Sequence, residues 1–245
     1  MLGLSTSIAA SKTIRNMHQQ NYLTFNGTDE YIDIDNIAGQ VDARTFSVSA
    51  WFKIPTTSTT RAIFKCMVGS DSNNQILLQY HAGGNELRGQ TKYGGTADVL
   101  NQGSNSIEND GNWHHAVLVC DKLGSDNSIL YVDSTAKETI AGVGTLSGTL
   151  SKASIGNNTD GGAFWLGDLD EIAIWNRAIT ADEVTAIYNA GVSKDPVDIT
   201  GGYKESLIAY YRFEEKGGTV AFNYADPSRN GTITNAPTVL SLIHI

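Results

Sequence analysis

Cysteine, proline and basic residues are all scarce in this chain, and each shortage removes a class of answer. Two cysteines, Cys66 and Cys120, in 245 residues cannot build the disulfide framework on which small secreted domains depend. Each stands in an apolar stretch, F-K-C-M-V and V-L-V-C-D, so two free core thiols are favoured over a single bridge. Lys and Arg total 17 against 26 Asp and Glu, a formal net charge of -9. Binding to a phosphate backbone needs a basic footprint, so nucleic acid is not expected as a partner. No run of five like charges occurs, and the acid reads as a solvated surface. No apolar run is long enough to span a membrane, and residues 1–11 lack the basic flank of an export signal. Only 4 prolines stand against 25 glycines, with 40% hydrophobic residues, which fits one large all-β domain with many short strands.

What the chain does have is concentrated in residues 166–191, L-G-D-L-D-E-I-A-I-W-N-R-A-I-T-A-D-E-V-T-A-I-Y-N-A-G. A two-residue period runs from Leu169 to Trp175 and predicts a strand with Leu169, Glu171, Ala173 and Trp175 on one face and Asp170, Ile172 and Ile174 on the other. The period then changes. Thr180 and Glu183 form a capping box, Val184, Ile187 and Tyr188 supply an apolar stripe, and Gly191 is the expected left-handed stop. In residues 46–54, Phe46, Val48, Ala50, Phe52 and Ile54 alternate with Ser47, Ser49, Trp51 and Lys53, so one face is expected in the core and the other mostly in water. The strand from Trp113 to Cys120 is apolar on both faces in its second half and is expected to be covered from both sides.

Several of these segments together resemble the laminin-G-like, concanavalin A-like lectin/glucanase superfamily. The run D-E-I-A-I-W-N-R-A-I-T-A-D-E-V is similar to its strand-to-helix signature, and Y-L-T-F-N-G-T-D-E-Y at residues 22–31 is similar to its opening strand pair. F-S-V-S-A-W at 46–51, W-H-H-A-V at 113–117 and L-Y-V-D at 130–133 resemble further family strands, with Ser134 in place of the usual turn glycine. The resemblance implies an all-β fold, a jelly-roll sandwich of two antiparallel sheets with one short helix near 180–190.

The expected organisation is an N-terminal arm at 1–20, the jelly roll at 21–200, and strands in 201–245 that complete or extend the same sandwich. Most laminin-G-like domains work outside cells, so the resemblance implies an outer surface; residues 1–11 carry no export signal, and assembly into a virus particle is the expected route there. The arm is then expected to dock on other virion subunits, with the protein as a homo-oligomer.

Catalysis finds little support in the residues. The glucanases of the superfamily use two carboxylates on one strand, and here only Asp168 and Asp170 stand in such positions, without a following glutamate two residues on. His114 and His115 are strand neighbours on opposite faces, expected as one core-edge and one surface side chain. Calcium needs six to eight oxygens; the resemblance points to Asn26, Asp29 and Asp170 as its ligands, and each of these also has a purely structural reading as a turn or loop residue. Glycan binding is the superfamily's common task. Trp165 and Tyr93 are the candidate platforms, Asn157, Asn158 and Asp160 the candidate polar contacts, and Trp165 equally suits the core. Three classes of function therefore stand: a non-enzymatic virion structural protein (capsid decoration, head fibre or tail component) with glycan or host-surface recognition, a free or cell-surface lectin, and last a glycoside-active enzyme.

Overall fold

The computed structural model describes residues 21–103, 110–141, 144, 146–158, 161–189 and 204–241. The expected docking arm, Asp160 and Gly191 lie outside these residues. Strands β1 (Asn21–Asn26), β2 (Tyr31–Asp33), β3 (Thr45–Lys53), β4 (Arg61–Val68), β5 (Asp71–His81), β6 (Glu86–Tyr93) and β7 (Thr96–Asn101) come first, with a short helix α1 (Asp35–Ala38) between β2 and β3. Then follow β8 (His114–Asp121), β9 (Asn127–Val132), β10 (Thr135–Ala141), β11 (Lys152–Ile155), β12 (Leu166–Trp175) and helix α2 (Ala181–Tyr188). Four strands close the order: β13 (Leu207–Tyr211), β14 (Val220–Ala221), β15 (Gly231–Thr234) and β16 (Thr238–Ser241).

The strands make two antiparallel sheets. One has the order β10-β9-β8-β3-β12-β1-β16, with β13 also on β12; the other runs β14-β15-β2-β11-β4-β5-β6-β7. Their inner faces share one core that includes Phe25, Ile32, Phe46, Phe52, Phe64, Leu118, Trp165 and Tyr211. Cys66 and Cys120 are both free and buried within it. Strands from the last forty residues pair into both sheets: β13 on β12, β16 on β1, and β15 on β2.

The outer face of the first sheet departs from the expected wet surface. Phe46, Val48, Ala50, Phe52 and Ile54 face the core as their period predicts. Ser47, Ser49 and Trp51 on the opposite face are buried too, because α2 folds back over them and Tyr188 stacks on Trp51 at 5.7 Å and 13°. A second apolar layer of Val117, Val119, Tyr131, Trp175, Val184, Ile187 and Tyr210 fills the space under that helix. β8 is thus covered from both sides, with Leu118 in one layer and Val119 in the other.

The strict alternation expected through β12 is broken by a bulge. The register against β3 shifts between Asp170 and Ala173, and Glu171 has a left-handed φ of 51°. One extra residue reverses the facing of the residues before it relative to those after it. Leu169, Ile172 and Ile174 therefore all reach the core, while Ala173 and Trp175 lie under α2. Neither histidine is a surface residue. His114 is 6% exposed, and His115 is fully buried beside Trp51 and Tyr188.

Helix α2 starts where its residues dictate. Thr180 accepts the Glu183 amide at 3.2 Å, and the Glu183 carboxylate accepts the Thr180 amide at 2.7 Å. Its stop is Asn189, at φ 47° and ψ 47°, two residues before the expected glycine; asparagine is among the few residues that tolerate this conformation. Thr180→Ala is expected to lower stability by about 1 kcal/mol, the ordinary cost of losing an N-cap. Urea unfolding measures it, and an unchanged midpoint would show that tertiary packing alone fixes the helix.

Candidate functional site

A surface concavity with convergent polar groups lies on the outer face of the second sheet, at the junction of β2 and β11. Tyr31 and Asp33 alternate with Ile32, whose side chain is wholly buried, so both point away from the core. Ser154 pairs opposite Asp33 and shares that face with Lys152. With Asp35, Asn157, Gly161 and Phe164 they line a groove of about 220 Å³. The rings of Tyr31 and Phe164, each partly exposed, lie 6.3 Å apart at 48°.

The walls are held from below. Lys152 Nζ donates to Asp35 at 2.6 Å, and the Ala153 amide donates to the other Asp35 oxygen at 2.7 Å. Ser154 Oγ donates to the Asn157 carbonyl at 3.0 Å. The loop beyond β11 closes on itself: the Asn158 amide donates to Gly162 O and the Gly161 amide to Asn158 O, at 2.8 and 2.9 Å. Arg61 ties this loop to the Asn26–Gly27 turn, donating through one nitrogen to Gly27 O at 2.6 Å and Phe164 O at 2.8 Å. Among the described residues, the side-chain oxygens of Asn157 and Asn158 are buried and have no hydrogen-bond donor.

The candidate residues read from the sequence divide. Asn157 and Asn158 lie at the groove and its rim loop, and Asp160 lies outside the described residues. Trp165 does not serve as a platform. It is fully buried, edge-on to Phe52 at 6.0 Å, and its indole N–H donates to Asp168 O at 3.3 Å. Its neighbour Phe164 faces outward instead. Tyr93 stands in β6, three strands from β11 and thus roughly 14 Å away at about 4.8 Å per strand. Its hydroxyl donates to Asp98 and Gly144 crowds its ring, so it belongs to a different part of the surface.

The proposed calcium ligands do not converge. Asn26 pairs opposite Leu166, whereas Asp170 lies four residues further along β12, roughly 13 Å away at about 3.3 Å per residue. Asn26 and Asp29 bond to each other, at 2.9 Å, as parts of a turn. Asp170 is buried and accepts the Glu171 amide at 2.9 Å. Among the described residues no three His, Cys, Asp or Glu side chains gather around a point that could hold a metal ion. The residues present do not fit calcium at this predicted position.

The carboxylates of β12 are equally enclosed. Asp168 accepts from Thr24 Oγ1 at 2.6 Å, and burial raises its pKa. Asp170 is pushed well above the usual carboxylate range, first by burial and then by the Glu171 carboxylate. Glu171 in turn accepts the hydroxyl of Tyr210. His114 is held between Asp133 at 2.8 Å and Asp110 at 3.2 Å. Burial opposes its charge, yet the two carboxylates outweigh that and raise its pKa. With both ring nitrogens so occupied it offers no free lone pair for proton abstraction or metal binding.

Comparison with known proteins places this geometry in context. A family profile described as the concanavalin A-like lectin/glucanases superfamily matches residues 26–185. No curated protein matches the chain in sequence. Among solved structures, a candidate carbohydrate binding protein from Bacteroides ovatus aligns with a TM-score of 0.64 at 16% identity, covering 93% of this chain and 61% of that one. This chain therefore spans less than two thirds of that protein. The CBM40 of a Ruminococcus gnavus IT-sialidase, bound to alpha2,3 sialyllactose, aligns at 0.56 and 11% identity over 68% of this chain and 97% of that one. A heptameric SAP-like pentraxin from Limulus polyphemus aligns at 0.51 and 20% identity, over 69% and 82% of the two chains. At these identities the likeness is one of fold. Among the described residues, no helix is long and apolar enough to cross a membrane.

Proposed function

The chain belongs to the concanavalin A-like lectin/glucanase superfamily, and from that premise we propose that it is a non-enzymatic glycan-binding module whose site is the Tyr31–Phe164 groove. The observation that carries this reading is the pair of part-exposed rings set beside Asp33, Ser154 and Asn157. Apolar faces flanked by a few fixed polar groups suit a pyranose ring, whose C–H faces need an aromatic surface and whose hydroxyls need partners. The solved relatives named for carbohydrate binding support it. The non-enzymatic part rests on the burial of Asp168, Asp170 and Glu171, since hydrolysis needs two carboxyls open to one cleft.

Display on a virus particle, as a capsid-decoration, head-fibre or tail component docked through residues 1–20, is the finer part of the proposal. It is supported by the sequence reading alone. Clustered copies would raise a weak sugar affinity by about 10²- to 10⁴-fold through avidity. Mass photometry of the full chain beside one lacking residues 1–20 tests it: monomers in both cases overturn the docking role.

For the groove, Tyr31→Ala and Phe164→Ala are each expected to weaken glycan binding by about tenfold, the loss of one aromatic contact worth roughly 1–1.5 kcal/mol. Titration calorimetry with a glycan identified on an array measures this, with thermal melting to confirm the fold. Unchanged affinity in both variants would move the site elsewhere, and a blank array would end the glycan reading.

A further inference from the structure

We infer that the groove selects neutral glycans and rejects sugars that carry a carboxylate; this rests on the glycan reading of the same groove. The charges around it decide the matter. Asp33 and Asp35 supply two carboxylates and Lys152 the one ammonium among the lining residues. That ammonium is already bound to Asp35 at 2.6 Å, and Asp33 has no ion-pair partner among the described residues. One Asp33 oxygen accepts the Asp35 amide at 2.9 Å, which leaves the other for a ligand hydroxyl.

The uncharged groups supply no cation. The side-chain oxygens of Asn157 and Asn158 are enclosed and, among the described residues, have no donor. Arg61 brings the nearby guanidinium, a group well shaped to receive a carboxylate. The nitrogen it directs to this loop is spent on the carbonyls of Gly27 and Phe164. A sugar carboxylate would therefore meet two carboxylates and a single ammonium that already serves Asp35. Such a juxtaposition is a standard means of rejecting a wrong partner. The whole-chain formal charge of -9 adds a repulsive long-range field. This chain would then differ from the Ruminococcus gnavus module, which is bound to an anionic sugar.

The test is a glycan array in matched pairs, each neutral oligosaccharide beside the same sugar extended by sialic acid or oxidised to a uronic acid, followed by calorimetry on the pairs that bind. The neutral member is expected to bind at least about tenfold more tightly. The gap should narrow between about 0.02 M and about 0.5 M salt, because screening weakens a partly exposed repulsion. Asp33→Asn should narrow it at least about threefold while the fold, followed by thermal melting, stays intact. Equal or tighter binding of the carboxylated member, lost in Tyr31→Ala, would overturn the inference and leave the glycan reading standing. Carboxylated sugars bound just as well in Tyr31→Ala and Phe164→Ala would overturn both. A blank array would remove the glycan reading and the inference with it.

Discussion

Trp165→Ala is expected to cost about 3–5 kcal/mol of unfolding free energy, the range for truncating a large buried aromatic without collapse of the space it leaves. The ring is fully buried, meets Phe52 edge-on at 6.0 Å, and ends in a hydrogen bond to Asp168 O. The backbone amide of Trp165 donates to Gly156 O at 2.7 Å, which fixes where the loop returns to the sheet. Loss on this scale is a large part of the roughly 5–15 kcal/mol by which ordinary domains are stable. Urea unfolding with matched slopes gives the number. Phe164→Ala, one residue earlier, is expected to leave stability within about 1 kcal/mol, since its ring is part-exposed. If Trp165→Ala proved as stable as the parent chain and lost only sugar affinity, the placement of these two rings would be reversed.

The second large effect is on the pH dependence of stability. His115 is fully buried with Ser49 Oγ 2.8 Å from Nε2 and, among the described residues, no partner on Nδ1. Burial lowers its pKa from 6.5 to about 3, with Asp133 opposing the shift. The unfolded chain therefore binds this proton near pH 6.5 and the folded chain only near pH 3. The stability this group confers is complete above pH 6.5 and is lost as pH falls towards 3, at about 1.4 kcal/mol per unit, for a total on the order of 5 kcal/mol. Asp168, Asp170, Glu30 and Glu215 have pKa values raised by burial, so they gain protons in the folded state and act in the opposite sense. The useful quantity is then the difference between the parent chain and His115→Gln. That difference should shrink steadily between pH 6.5 and pH 4 as the parent loses ground. Parallel stability curves for the two proteins would mean that His115 is not held neutral by its surroundings.

The sequence revealed features whose causes are local and concealed those whose causes are distant. The Thr180–Glu183 box needs only four residues, and the core face of β3 needs only its own alternation, so both were legible. The burial of Ser49 and Trp51 was not, because the cover is supplied by Tyr188, more than a hundred residues later. The Glu171 bulge is likewise invisible in the run D-L-D-E-I-A-I-W, since the extra residue is defined by how β12 meets β3. At the candidate site, Asn157 was legible as part of an Asn- and Gly-rich loop. Tyr31, Asp33 and Asp35 stand in the sequence as members of an opening strand and its exit; only the register that sets Asp33 opposite Ser154 turns them into one wall of a groove. Trp165 and Phe164 show the finest limit. Both aromatics come after the same loop, and which of them faces solvent depends on a one-residue phase set by the Trp165–Gly156 backbone bond.

The pairing of β1 with β16 has a mechanical consequence. Asn21 lies directly opposite Ser241, and Thr24 opposite Thr238, so the two ends of the described chain leave the sheet side by side. Tension applied through those ends would peel β16 from β1 like a zipper, breaking their bonds in succession instead of loading them all in shear. Held at both ends under flow, the module would yield first along this seam. A tether at the N-terminal end alone would leave the seam unloaded, and force from a ligand held in the Tyr31–Phe164 groove would then pass through β2 and β11 into the body of the sandwich.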